Sequence, residues 1–130
     1  MPLKDLEKFS VKHLQILNSR AELDAKLDPK LSDEDLMSLY GAMLLARRAD
    51  ERQLNLQRQG RMGTFGPCTG QEAVSCGTAF AMSDQDWFVG SYRDMGARLM
   101  RGVKLSTEYL FWNGYEEGNV SPEAPRTLPN

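Results

Sequence analysis

Histidine, cysteine and long apolar runs are scarce in this sequence of 130 residues. The single histidine, His13, excludes a metal site built from paired histidines and leaves one candidate base for a Ser-His-Asp triad. The two cysteines, Cys68 and Cys76, match no CxxC spacing, so no disulfide framework is expected and a reducing, cytoplasmic compartment is indicated. No apolar run approaches the roughly 20 residues of a membrane helix, and the N-terminus lacks the apolar segment of a signal peptide.

A surplus of basic residues is also absent. Sixteen Lys and Arg oppose 18 Asp and Glu, giving a formal net charge of -2, so general binding to nucleic acid is not expected. Acids interrupt the arginines of the segment 47–61, which favours a solvated or interface helix with local ion pairs. The composition, 41% hydrophobic and 26% charged, is typical of a globular domain or of a part of one.

Residues 1–31 are predicted to form an N-terminal arm. Phe9, Val11 and His13 alternate with polar residues, which predicts a short strand or hairpin with a turn at 18–19, and a short helix remains an alternative. Pro29 closes this segment because proline disfavours helix at the residue before it.

The rest of the sequence predicts mainly helices. Ser32 with Asp35 has the spacing of a capping box, and so does Thr69 with Glu72. The second box opens a helix of small residues that would allow another backbone to approach closely. Helices are predicted over residues 33–59, 70–82, 92–101 and 106–113, followed by an extended loop over 115–130.

A candidate anion-binding corner follows a short apolar run at 86–89, which predicts a buried strand. Gly90 would turn the chain into the next helix, whose first backbone amides favour an anion. Arg93 adds a planar guanidinium suited to phosphate, and Tyr92 adds a hydroxyl and a ring face. Arg98 is expected on the same helix, more than one turn further along. The alternative is that Tyr92 belongs to the core and Arg93 pairs with a local acid.

The loop from Gly60 to Gly70 is a second candidate, because its glycines allow a close approach to a ligand. It has neither a GxGxxG pattern nor a Gly-Lys-Ser/Thr sequence, so an ordinary connection between helices is the alternative. Cys68 in this loop could be a reactive thiol, whereas Cys76 is predicted to be a small buried residue.

The order and spacing of four segments are specific enough to indicate a protein family. These segments are residues 31–36, 54–65, 70–73 and 86–94. Together they resemble the N-terminal part of the alpha subunit of the thiamine-diphosphate-dependent E1 component of 2-oxo acid dehydrogenase complexes. Among these subunits, those of bacterial pyruvate dehydrogenases are most similar. The resemblance covers nearly the whole chain.

The resemblance implies an α/β thiamine-diphosphate-binding fold. This chain would form a mostly α-helical N-terminal fragment of it, with at most one or two short strands, and residues 32–130 would be a partial cofactor domain. Tyr92 and Arg93 match the pair that contacts the diphosphate of the cofactor. Thr64, Phe65 and Gly66 match a loop that lines the substrate pocket. No catalytic residue is assigned to this chain.

The resemblance also implies Mg²⁺ beside the cofactor, held by a Gly-Asp-Gly segment that does not occur in this sequence. The implied partners are an E1 beta subunit, a second E1 alpha subunit in an α2β2 heterotetramer, and a lipoyl-bearing E2. The implied reaction, linked to glycolysis, is oxidative decarboxylation of pyruvate, with branched-chain 2-oxo acids or acetoin as alternative substrates. The chain is interpreted as a fragment, a truncated homologue or half of a split subunit, inactive by itself. The rival hypothesis is a truncated, non-catalytic helical assembly module.

Overall fold

The computed structural model describes residue 3, residues 6–119 and residues 126–127. Contacts divide the chain into two compact units, Met1–Leu31 and Ser32–Asn130. The described residues are mostly helical, as predicted, and contain no β-strand, only two isolated bridges. None of the helices in this part of the chain is long and apolar enough to cross a membrane.

The first unit contains two turns, at residues 19–20 and 25–27, and no strand among its described residues. Asn18 directs the first turn, since its side-chain oxygen accepts from the backbone amides of Arg20 at 2.9 Å and Glu22 at 3.0 Å. One antiparallel bridge joins Leu17 to Leu23. The predicted turn at 18–19 is therefore confirmed, but the alternating segment from Phe9 has no regular secondary structure and is exposed. An alternating pattern forms a strand only where a neighbouring strand pairs with it.

Helix α1 (Asp33–Arg58) is the longest element of the second unit and matches the prediction closely. Ser32 Oγ accepts from the Asp35 amide at 3.1 Å, and the Asp35 carboxylate accepts from the Ser32 amide at 3.3 Å. This reciprocal capping box satisfies two groups at the helix start, and the acidic first turn suits the positive end of the helix dipole. Gly60, at φ +69°, follows the helix end.

Helices α2 (Glu72–Phe80) and α3 (Met95–Met100) pack closely through small residues, as the composition of α2 predicted. Ser75 Oγ accepts from the Ala97 amide at 2.7 Å. A Cβ added at Gly96 would lie 2.9 Å from the sulfur of Cys76, so only glycine fits this contact without a shift. Cys76 is fully buried, which confirms its predicted structural role.

Two helix starts differ from the prediction. The capping box at Thr69 and Glu72 is not formed: Gln71 precedes α2 and makes no side-chain cap, because Thr69 and Glu72 bind side chains of α1 instead. Helix α3 begins at Met95 rather than at residue 92. At α2, contacts with distant residues of α1 therefore replace the expected cap. At α3, local contacts within the preceding turn replace it.

The predicted buried strand at 86–89 is also wrong. Only Phe88 is buried, whereas the side chains of Trp87 and Val89 are largely exposed. The Phe88 amide donates to the carbonyl of Arg126 at 2.8 Å, and a single parallel bridge joins Phe88 to Thr127. One bridge replaces a strand because no longer segment pairs with this run among the described residues.

Helix α4 (Leu105–Trp112) ends before Gly114, which has φ +84°. A short 3-10 helix, Glu116–Asn119, follows where an extended loop was expected, and most of the rest of that predicted loop lies outside the described residues. The aromatic residues of α4 pack within their own unit: Tyr109 donates its hydroxyl to the carbonyl of Ala49 at 3.1 Å.

Within the second unit, five large exposed apolar side chains lie on α1. They are Leu36, Met37, Tyr40, Leu44 and Leu45, with Val74 exposed on α2. We call the five α1 residues the apolar face of α1.

A buried ion pair joins α3 to α4. Arg98 Nε donates to Glu108, and both side chains are at most 3% exposed. Removing one member of such a pair leaves an uncompensated charge in the interior. Arg98 is therefore structural, although the sequence placed it beside Arg93 on one helix.

We expect Arg98→Ala to lower the free energy of unfolding by about 3–5 kcal/mol, because Glu108 would stay buried without its partner. Arg101→Ala is the matched control, since partly exposed Arg101 donates to the backbone carbonyls of Ser83 and Asp86. Urea denaturation of both variants measures the difference. Equal losses of stability in both variants would contradict the structural role of the pair.

Candidate functional site

A buried carboxylate of α1 holds the loop that leads into α2. Asp50 is 3% exposed and accepts from the Cys68 amide at 2.9 Å, from the Cys68 thiol at 3.3 Å and from the Thr69 hydroxyl at 2.5 Å. A buried carboxylate requires such donors, since leaving it unpaired is costly. The loop at 67–69 is therefore fixed to α1.

One helical turn away, Arg47 holds the same loop through Glu72. Arg47 Nε and Nη2 donate to the two Glu72 oxygens at 2.6 and 3.0 Å, and the Gly70 amide also donates to this carboxylate. The hydrogen bond from Arg47 and the backbone amides lowers the pKa of Glu72 to about 2, although burial opposes this shift. The same contact raises the pKa of Arg47.

Arg93 lies against this loop. Its Nη1 donates to the carbonyl of Pro67, and its guanidinium is 5.0 Å from the centroid of the Tyr92 ring. Arg93 is partly exposed and Tyr92 is largely exposed. The predicted core position of Tyr92 is therefore excluded, and Arg93 binds a backbone carbonyl instead of a local acid.

The ring of Tyr92 also covers Gly66. A Cβ added at Gly66 would lie 2.4 Å from the ring, so a larger residue at 66 would displace Tyr92. The structure thus brings together the two residue sets singled out in the sequence: the pair Tyr92 and Arg93, and the loop that contains Thr64, Phe65 and Gly66.

Within that loop the three predicted pocket residues differ in exposure. Phe65 is buried, with its ring edge-on to Trp112 at 6.3 Å between centroids. Thr64 is exposed and Gly66 is partly buried under Tyr92. Thr64 is therefore the member that faces solvent, while Phe65 anchors the loop in the interior.

Two of the backbone amides expected to bind an anion already donate to neighbouring side chains. The Ser91 amide donates to the Asp94 carboxylate at 2.7 Å, and the Arg93 amide donates to Ser91 Oγ at 3.3 Å. Helix α3 begins two residues after Arg93 and has only six residues. The helix therefore does not begin at residue 92, where the anion-binding amides were predicted, and we base the candidate site on the side chains of Tyr92 and Arg93.

Cys68 is not an activated thiol. It is 4% exposed, and burial, assisted by the negative charge of Asp50, raises its pKa to about 12. A thiolate is the reactive form of cysteine, so this environment suppresses reactivity near neutral pH. In the part of the chain that the structure describes, no group of three or more His, Cys, Asp or Glu side chains could hold a metal ion.

Sequence reasoning missed Asp50, Arg47 and the role of Glu72. A signal existed: Arg47 and Asp50 are three positions apart and therefore share one face of a helix. Opposite charges on one buried face indicate that a neighbouring segment satisfies them, but the pattern alone does not identify that segment.

The chain is similar to known proteins of one family. Residues 40–125 match the family described as "Dehydrogenase E1 component". The chain is 44% identical over 107 residues to "Pyruvate dehydrogenase E1 component subunit alpha" of Acholeplasma laidlawii, covering 82% of this chain and 31% of that protein. It is 38% identical over 116 residues to the protein of the same name from Bacillus cereus, covering 88% and 31%. The chain therefore spans about a third of the length of the curated relatives it matches.

The depressed pKa of Glu72 predicts a specific loss of stability in acid. A carboxylate whose pKa falls from 4.5 to about 2 on folding stabilises the native state fully above pH 4.5, and that contribution is lost as the pH falls toward 2. We expect Glu72→Gln to lower stability at pH 7 by roughly 1–3 kcal/mol and to flatten its dependence on pH between 4.5 and 2.

Denaturant titrations at several pH values measure this effect. Glu51→Gln is the control, because it removes one carboxylate from an exposed ion pair with Arg48. An unchanged acid slope in Glu72→Gln, or the same slope change in Glu51→Gln, would contradict the prediction.

Proposed function

This chain belongs to the dehydrogenase E1 component family, and we propose that it supplies one half of a thiamine diphosphate site in the alpha subunit of a pyruvate dehydrogenase. One observation carries the proposal. Tyr92 and Arg93, the candidate diphosphate pair, lie directly against the loop of Thr64 and Gly66, the candidate substrate loop. A cofactor that reacts with a substrate needs its binding residues and the substrate residues side by side.

The chemistry of this corner fits a diphosphate. An arginine side chain has five N–H donors. Arg93 donates one hydrogen bond, to the carbonyl of Pro67, and its other N–H groups have no acceptor among the described residues. The guanidinium is permanently charged and its planar fork suits phosphate oxygens. Arg93 is held at the surface by this carbonyl and by the ring of Tyr92, so less freedom is lost when a ligand binds.

The same residues do not fit Mg²⁺. The sequence has no Gly-Asp-Gly segment, and the described residues offer no cluster of metal-binding side chains. We therefore assign no metal contact to this chain.

When bound, thiamine diphosphate supplies a carbon nucleophile and an electron sink for decarboxylation. The contribution of this chain is binding and orientation. Arg93 neutralises charge on the diphosphate, the Tyr92 hydroxyl offers a hydrogen bond, and exposed Thr64 is available to the substrate. Phe65 and Gly66 shape the loop beneath them, Phe65 by its burial and Gly66 by admitting the Tyr92 ring.

The wider setting follows from the family. We propose an α/β thiamine-diphosphate-binding fold in an α2β2 heterotetramer in the cytoplasm, with E1 beta, a second E1 alpha and a lipoyl-bearing E2 as partners. The names of the relatives favour pyruvate over branched-chain 2-oxo acids or acetoin. The exposed apolar face of α1 is suited to contacts with other parts of such an assembly.

That same apolar face supports the second candidate, a non-catalytic assembly module. Such a module would keep the helical packing and bind a partner without the cofactor. Affinity for thiamine diphosphate, measured with and without Arg93, distinguishes the two functions.

We expect Arg93→Ala to weaken thiamine diphosphate binding roughly tenfold to a hundredfold, the value of a charge-assisted hydrogen bond. The experiment uses the complete alpha subunit assembled with its beta subunit, titrated with cofactor by calorimetry. Arg101→Ala is the control, because Arg101 is also partly exposed and binds backbone carbonyls, whereas Arg98 is buried and paired.

Arg93→Lys should restore only part of the affinity, since a point charge lacks the guanidinium fork. Equal losses of cofactor affinity in Arg93→Ala and Arg101→Ala would mean that the loss of positive charge, and not a specific contact of Arg93, causes the effect. No loss at Arg93 would exclude it from the diphosphate site and favour the assembly module.

We also expect the 130-residue chain by itself to lack 2-oxo acid decarboxylase activity, because it spans only 31% of its relatives and contains no Gly-Asp-Gly segment. The assay supplies pyruvate, thiamine diphosphate and Mg²⁺ to the purified chain and measures CO₂ against a no-protein control. Release of CO₂ above that control would overturn this prediction.

A further inference from the structure

One peptide group connects α1 to the candidate cofactor corner. The N–H of the peptide between Pro67 and Cys68 donates to Asp50 Oδ1 at 2.9 Å, and its carbonyl accepts from Arg93 Nη1. Because a trans peptide is planar, its N–H and C=O point in opposite directions. The carboxylate and the guanidinium therefore lie on opposite sides of a single peptide group.

We propose that Asp50 is the positioning residue for Arg93, acting through this peptide group. Asp50 is buried, and among the described residues its side chain makes hydrogen bonds to Cys68 and Thr69 and none to Arg93. Its influence passes through two hydrogen bonds in series. Only the consequence for cofactor binding rests on the proposed function; the coupling itself is a property of the fold.

Asp50 has the rigidity that this role requires. It lies within the 26-residue helix α1 and is 3% exposed, next to the buried cluster that contains Ala49 and Met95. The Thr69 hydroxyl at 2.5 Å and the Cys68 thiol at 3.3 Å hold the carboxylate from other directions. A side chain fixed by helix, core and three donors orients the peptide that it binds.

Charge strengthens the connection. A carboxylate that accepts from the peptide N–H polarises the amide, and the carbonyl becomes a better acceptor for a cation. Arg93 supplies that cation at the other end. The two hydrogen bonds therefore reinforce each other, and loss of either charged group should weaken the bond made by the other.

The first experiment tests the coupling without any cofactor. Amide hydrogen exchange of Cys68 is followed by NMR in the ¹⁵N-labelled 130-residue chain and in its variants Arg93→Ala and Arg101→Ala. We expect Arg93→Ala to accelerate exchange of the Cys68 amide roughly tenfold, in line with the loss of one charge-assisted contact. Arg101→Ala should leave it unchanged, since Arg101 binds the carbonyls of Ser83 and Asp86.

The second experiment runs in the reverse direction. Asp50→Asn keeps an acceptor oxygen but removes the charge, whereas Thr69→Val removes another hydrogen bond of Asp50 without touching the peptide. The side-chain N–H signals of Arg93 should exchange faster with water in Asp50→Asn and stay as in the parent chain in Thr69→Val. If Asp50→Asn does not fold, the Arg93→Ala result decides alone.

Unchanged Cys68 exchange in Arg93→Ala, or equal acceleration in Arg101→Ala, would overturn the positioning role. In the assembled enzyme, Asp50→Asn should weaken thiamine diphosphate binding and Thr69→Val should have a smaller effect. Coupling by NMR without any change in cofactor affinity in Arg93→Ala would contradict the proposed function and leave the positioning role supported.

Discussion

The candidate site depends on the hydrogen bonds that the Asp50 carboxylate accepts from Cys68 and Thr69. This carboxylate fixes the loop that precedes α2 by accepting three hydrogen bonds, and that loop supplies the carbonyl that receives Arg93. Arg47 acts beside it through Glu72. Helix α1 therefore does more than fill the interior: one of its faces holds the loop at a defined distance from the segment that carries Tyr92 and Arg93.

Two features make this arrangement suitable for a charged ligand. The acids of the region are already engaged, Asp50 and Glu72 by loop donors and Asp94 by the Ser91 amide. Arg93 is partly exposed, and its remaining N–H groups have no acceptor among the described residues. The ring of Tyr92 lies beside its guanidinium and limits its motion. Family membership then makes a diphosphate the most reasonable ligand to test, because a mostly helical piece of protein by itself would not identify one.

Local signals in the sequence predicted local structure well. Helix α1 followed from the capping box of Ser32 and Asp35, which depends on residues only three positions apart. The apolar run around Phe88 and the box at Thr69 failed because their outcome depends on distant partners, Thr127 in one case and Asp50 in the other. Tyr92 and Arg93 remain predicted ligand contacts, now on the basis of their side chains, since the amides of Ser91 and Arg93 donate to Asp94 and to Ser91 Oγ.

A crystal structure of the assembled enzyme with thiamine diphosphate bound would test the role of Arg93 most directly. We expect guanidinium nitrogens of Arg93 within hydrogen-bond distance, about 2.7–3.2 Å, of diphosphate oxygens. We also expect Arg93 to keep its contact with the Pro67 carbonyl and the Cys68 amide to keep its hydrogen bond to Asp50. A diphosphate bound away from Arg93, with Tyr92 and Arg93 facing another protein segment, would contradict this role.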